Sequence, residues 1–139
     1  MIVVDTNVLS ALTRSAPDQT VVTWLDTQPR SSIWTTSVTL FELRVGIAVM
    51  PDGRRRATLE GMADRIIGEI LERRILPFDA AAAEASAALA ALRRRQGTPG
   101  ELRDTMIAGI AIARRATLAT RNTRHFADLP VPVVNPWAD

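Results

Sequence analysis

A chain of 139 residues, 47% of them apolar, is sized for one domain over residues 1–139 with a substantial core. It has no Cys and a single His, which excludes disulfides, thiolate metal sites and His-rich zinc sites; all 17 basic residues are Arg, which excludes lysine Schiff bases and a Walker-type phosphate loop. The net charge is only +2, so a pI near 10.8 reflects the absence of Lys, Tyr and Cys more than a basic surface.

The N-terminus begins directly in an apolar run with no basic leader, and no stretch of about 18 apolar residues occurs, so a cytoplasmic protein without a membrane segment is expected. Ile2 to Val4 is a short β-branched run of the kind that forms a strand buried on both faces. Asp5, Thr6 and Asn7 follow at once, and Val8 to Leu12 resumes with helical character. Asp5 therefore falls at the carboxyl end of a strand, the edge where open α/β sheets bind ligands. Pro17-Asp18 opens an amphipathic helix ending near Pro29, and Ser31 to Thr36 reads as a second strand. Ser37 to Met50 is a nearly all-apolar helix, broken by Pro51-Asp52-Gly53. A longer helix is expected from Arg54 to Arg74, then a third strand at Ile75 to Phe78.

Asp79 is placed to cap an Ala-rich helix running to about Gln96, and Gly97-Thr98-Pro99-Gly100 is the clearest loop. Leu102 to Arg115 is helical and rich in small residues, which lets it pack close to the sheet. Thr117 to Thr120 and Val131 to Val134 complete five strands. Strands alternating with helices predict an α/β fold with a five-stranded parallel sheet, right-handed crossovers and helices on both faces.

Three acids occupy positions that local structure alone does not explain. Glu42 shares its helix face with Val38, Val45 and Val49, and a Glu is almost never fully buried without a partner. A buried ion pair with Arg is its ordinary explanation. Asp104 stands in a first helical turn beside Ile107, Ala108 and Ala111, where a dipole or capping role is ordinary. Asp5 has the same ordinary reading as a helix cap. Together, however, they converge on one sheet edge, and three carboxylates there stay ionised only beside a cation. An oxygen-only donor set suits Mg²⁺ or Mn²⁺. Asn122 follows the fourth strand and offers a carbonyl oxygen, although a turn Asn is the plainer reading.

These residues, in this order, resemble the PIN-domain nucleases, in particular the VapC and FitB toxins of bacterial type II toxin–antitoxin pairs. The resemblance lies in Val4-Asp5-Thr6-Asn7-Val8-Leu9, in Thr39 to Gly46, in Asp104 to Gly109, in Ala119 to Thr123 and in Val134-Asn135-Pro136-Trp137. It implies a PIN-like fold and a divalent-metal-dependent ribonuclease. It also implies a cognate antitoxin that blocks the site, a DNA-binding protein of the VapB or FitA kind, and often a toxin homodimer. By motif match, Asp5, Glu42 and Asp104 inherit the acidic metal-site roles, with Asp5 and Asp104 as direct ligands and Glu42 as ligand or water-orienting group. Asn122 departs from the pattern, since many relatives carry Asp there, which puts two-metal catalysis in doubt.

Thr6, Asn7 and Thr120 are expected to support the site, and Asn122 to position water. RNA phosphates need basic residues around the acids. Arg121 and Arg124 are the nearest candidates in sequence; the runs Arg54-Arg55-Arg56 and Arg93-Arg94-Arg95 are further ones, although a solvated helix surface is the ordinary reading of each. His125 has a turn or surface role as its ordinary reading, and Trp24, Trp34 and Trp137 read as packing residues. Two rival functions remain: a PIN-fold nucleic-acid binder, catalytically weak, acting mainly through its antitoxin complex, and an α/β module for a small phosphate ligand. The missing lysine and phosphate loop count against the second.

Overall fold

The sheet is parallel and five-stranded in the computed structural model, which describes residues 1–14 and 16–138. Its strands are β1 (Ile2–Val4), β2 (Ile33–Thr36), β3 (Ile75–Leu76), β4 (Thr117–Ala119) and β5 (Val133–Val134), in the spatial order β3-β2-β1-β4-β5. The helices are α1 (Thr6–Leu12), α2 (Gln19–Asp26), α3 (Ser37–Ala48), α4 (Arg54–Arg65), α5 (Ala80–Arg95) and α6 (Leu102–Arg114). The α/β class and the five parallel strands expected from the sequence are those observed.

β1 is central because both its faces are covered. Val4 joins Val8, Leu9, Val21, Ile33, Ile66 and Ala119 in one core layer. Val3 joins Leu89, Ile107, Ile110, Leu118 and Phe126 in the other. Burial on both sides is why the strand reads as an unbroken apolar run. Register puts Ile2 opposite Ile33 and Thr117, and Val4 opposite Ala119. The carboxyl ends of β1 and β4 are thereby level, and Asp5 and Thr120 emerge side by side. α3 straddles the sheet edge: Val38 enters the second layer, while Leu43 and Ile47 enter the first.

The differences from expectation have local causes. β3 stops at Leu76 because Pro77 has no N–H and the Phe78 N–H is taken by Ser37 Oγ at 3.0 Å. β5 is limited to Val133–Val134 because Pro132 likewise has no N–H to donate. Arg30–Ser32 forms a short 3₁₀ turn ahead of β2, closed by Ser32 Oγ donating to the Pro29 carbonyl at 2.6 Å. The long helix expected to Arg74 widens into a π turn at Ile66–Ile70, and the chain leaves through Glu72 and Arg73 at φ 48° and 57°. Arg74 holds that exit by donating to the carbonyls of Ile33 (2.8 Å), Arg30 (2.7 Å) and Ile70 (3.1 Å).

The small residues of α6 serve a close approach to α5. A Cβ on Gly109 would run into Ser86 Oγ and come within 2.8 Å of the Ala82 carbonyl, which is backbone and cannot swing away. Gly109→Ala is therefore expected to destabilise the protein by about 1–3 kcal/mol through overpacking, measured as a lowered urea midpoint at unchanged slope. An unchanged midpoint would mean that the two helices part freely. Among the described residues no helix is long and apolar enough to cross a membrane.

Candidate active site

Asp5 is where the backbone ladder ends. Its N–H still donates to the Ala119 carbonyl at 3.1 Å, so the residue is fixed to β4. Its carboxylate accepts the Val8 N–H at 3.2 Å, capping α1, and is hydrogen-bonded by the Thr120 side chain. The capping role considered from the sequence is thus real, and it leaves the acid 5% exposed. Among the described residues no Arg forms an ion pair with it. Burial pushes its pKa up to about 6, with the Asp104 charge adding to the rise and the Thr120 and Val8 hydrogen bonds opposing it.

Glu42 is brought to the same edge by α3. Its Oε1 accepts from Thr6 Oγ1 at 2.8 Å, which ties it to the residue after Asp5. The ion-pair explanation holds only in part: Arg44 pairs with Asp64 at 2.7 Å instead, and the Arg near Glu42 is a half-exposed Arg103, at 3.8 Å. Asp104 lies in the first turn of α6, partly buried, with His125 Nδ1 3.8 Å from its Oδ2. Burial, then the charges of Glu101 and Glu42, hold the Asp104 carboxyl above its ordinary range.

Glu101 is an acid of this edge that the sequence did not reveal. It caps α6 by accepting the Asp104 N–H at 2.9 Å and pairs with Arg103 at 3.3 Å. Its one signal is position, directly after Gly100 and three residues before Asp104; N-caps are normally sought among Ser, Thr, Asp and Asn.

The remaining candidates are spread over different surroundings. Thr120 joins the strand end to the next turn, hydrogen-bonding Asp5 and accepting the Asn122 N–H at 3.1 Å. Asn122 opens a short 3₁₀ turn, Thr123–Phe126, and its exposed side chain makes no capping bond. Asn7 is exposed in the first turn of α1. Arg124 and His125 line an open cavity of about 460 Å³ together with Asp104 and Glu101. Arg121 lies instead over the Trp137 ring, 5.0 Å from its centroid, and the Trp137 indole donates to Asp18 at 2.9 Å. Arg54 and Arg55 line a different cavity with Thr13 and Arg14, at the end of α1 opposite Asp5. Arg93 corrects the surface reading of its run: it is 3% exposed, clamped to Asp128 at 2.9 Å.

Asp5, Asp104, Glu42 and Glu101 present oxygen donors only, the chemistry that Mg²⁺ or Mn²⁺ takes. Two of them, Asp5 and Asp104, have raised pKa values, chiefly through burial and then through neighbouring acids. Among the described residues no three acids gather tightly enough to form a closed cage. An ion held here would keep several waters, as Mg²⁺ ordinarily does.

Fold and site together define an α/β protein with acidic side chains, Asp5 among them buried, at the carboxyl edge of a parallel sheet. The chain belongs to the PIN domain family, whose model matches residues 2–132. It is similar to the VapC ribonuclease Y4jK of Sinorhizobium fredii, with 38% identity over 140 residues covering 99% of this chain and 98% of that protein. It is also similar to toxin FitB of Neisseria gonorrhoeae, with 34% identity over 139 residues and full coverage of both. Among solved structures, FitAB bound to an IR36 DNA fragment superposes with a TM-score of 0.90 at 33% identity, covering 100% of this chain and 97% of that one.

Proposed function

We propose that this chain, acting as one PIN domain over residues 1–139, is the toxin of a type II toxin–antitoxin pair and a Mg²⁺- or Mn²⁺-dependent endoribonuclease of the cytoplasm. What carries the proposal is a buried Asp5 without a cationic partner, set beside Asp104, in a chain aligned end to end with a VapC ribonuclease and a FitB toxin. Asp5 and Asp104 would hold the ion, with Glu42 as third ligand or as the group that orients the attacking water. Such an ion, when bound, lowers the pKa of water and offsets charge on the phosphodiester under in-line attack.

The chain's own residues set the geometry. Thr120 fixes the Asp5 carboxylate and Thr6 fixes Glu42, so neither acid is free to turn away. Asn122, on the same turn as Arg124, positions water beside the acids, and Asn7 supports the opening of α1. Arg124 is the first choice for an RNA phosphate contact; Arg121, stacked on Trp137, is a second, and Arg54 and Arg55 would serve only a longer RNA. Phe41 and Val45 on α3 and Val49 at its C-cap form an exposed apolar row at i, i+4 and i+8, which suits a homodimer or the antitoxin. The partner proposed is a DNA-binding antitoxin of the VapB or FitA kind.

The deciding experiment is cleavage of RNA by the purified chain, expected with Mg²⁺ or Mn²⁺, abolished by a chelator and restored by excess ion. RNA cut equally well in chelator would overturn the metal-dependent reading. The rival reading, a catalytically weak PIN-fold binder working through its antitoxin complex, draws on the neutral Asn122 and the open arrangement of the acids. The cleavage assay parts the two, and Asn122→Asp tests whether that residue stands near the ion. An added carboxylate near the ion is expected to tighten Mn²⁺ binding by about tenfold, read by calorimetry. Unchanged affinity would remove Asn122 from the ion's surroundings.

A further inference from the structure

Arg93 ends an Ala-rich helix in a run of three arginines, where a solvated side chain is the rule, yet it is buried. Four of the five guanidinium N–H donors are engaged. Nε and Nη2 fork onto the two Asp128 carboxylate oxygens, each at 2.9 Å. Nη2 also donates to the His125 carbonyl at 2.8 Å, and Nη1 to Thr105 Oγ1 at 3.3 Å. The Arg93 carbonyl accepts the Thr98 N–H at 2.8 Å. Gly100 passes so close, at φ 71°, that a Cβ there would sit 3.1 Å from Nη1.

The pair is buried at its Arg93 end only, Asp128 being exposed, and burying a guanidinium is a poor device for stability alone, because an apolar replacement of similar size is often neutral or better. The position of its partners gives another purpose. Arg93 joins three segments that are separate in sequence: the turn of residues 97–101, the first turn of α6, and the turn of residues 122–128. The first carries Glu101, the second Asp104, and the third Asn122, Arg124 and His125. Thr105, the residue after Asp104, accepts from Arg93 and itself donates to the Glu101 carbonyl at 2.9 Å. These same segments wall the cavity beside Asp104, and Arg93 is part of its lining.

We propose that Arg93, through its fork onto Asp128, is a positioning residue of the nuclease site, holding the 122–128 turn and the Asp104 turn in the register that cleavage requires. This rests on the nuclease reading above. It assigns no contact with RNA to Arg93, four of whose five N–H donors are taken by the protein.

The test compares the parent with Asp128→Asn, which keeps one acceptor, and with Arg93→Lys, which keeps the charge but not the planar fork. Each is assayed well below its own melting temperature. The expected result is a fall of about tenfold or more in kcat, a smaller change in KM, and weaker Mn²⁺ binding by calorimetry. Amide exchange should quicken at Thr98, His125 and Leu129, while the amides of Val4 and Leu118 keep their protection. A lower melting temperature with kcat and Mn²⁺ affinity within about twofold of the parent would reduce Arg93 to a structural role and overturn the inference. So would failure of both variants to fold. If the parent itself neither binds Mn²⁺ nor cuts RNA, it is the nuclease reading that falls. The exchange measurement then decides the clamp by itself: unchanged exchange at the three turn amides overturns it.

Discussion

Asp5→Asn is expected to abolish RNA cleavage while making the metal-free protein more stable at neutral pH. The two effects have one origin. Asp5 is buried, ionised at pH 7 and without a guanidinium partner, so its charge opposes folding unless a cation is present. Raising a carboxyl from 3.8 to about 6 costs about 3 kcal/mol of stability once the group is ionised in both states. Asn keeps an oxygen to accept the Val8 N–H and sheds the charge, so a gain approaching that size is expected, read by chemical denaturation in chelator. Groups that merely support a metal ligand are worth 10–100-fold, so loss of the ligand itself should reduce cleavage by about 100-fold or more. Asp104→Asn should also silence cleavage, with a smaller gain in stability because Asp104 is less buried. Undiminished cleavage by either variant would remove that acid from the site.

The second large effect is a dependence of stability on pH that reverses when a divalent ion is added. Between about pH 4 and 6 the folded chain keeps a proton on Asp5 that the unfolded chain has released. The folded state binds more protons there, so stability of the metal-free chain falls as pH rises through the window. The raised Asp104 carboxyl adds in the same direction. Asp18, held down by Trp137, and Asp128, held down by Arg93, act oppositely: their contributions are present above the ordinary carboxylate range and lost below it. Metal-free stability should therefore peak on the acid side of neutrality. Millimolar Mn²⁺ or Mg²⁺ stabilises the folded state by mass action, most strongly above about pH 6, and loses its effect as protons displace it. Melting temperatures across about pH 4.5 to 8, with and without the ion, test this. A metal-free profile that rises steadily to neutral pH would contradict the account of Asp5.

Much of the frame was legible because it depends on local signals. Ile2 to Val4 announces a doubly covered strand, and the polar Asp5-Thr6-Asn7 behind it marks the strand's end. Asp79 caps α5 as its position suggests, accepting the Ala82 N–H at 3.0 Å. What escaped local reading is decided across the fold. Nothing around Arg93 in the chain points to Asp128, 35 residues away, so its burial is invisible in the run of arginines. Glu42 advertises itself as an acid out of place, but its firm partner is the Thr6 hydroxyl and not an arginine. Glu101 hides because Glu is an unusual N-cap. The prolines that shorten β3 and β5 were in plain view, and their missing donors set strand length where apolar character alone suggested more.

The Trp137 bracket links distant parts of the chain. Its indole is bonded to the acid that starts α2, and its ring carries the guanidinium of Arg121, which stands between Thr120 and Asn122. A fusion partner attached close behind Trp137, or a cut ahead of it, would thus loosen the first turn of one helix and free a cation next to the acidic edge in the same stroke. For work with tagged protein, the opposite terminus is no refuge, since Met1 lends its carbonyl to Thr117. A tag on either side therefore needs a generous spacer before kinetics are compared.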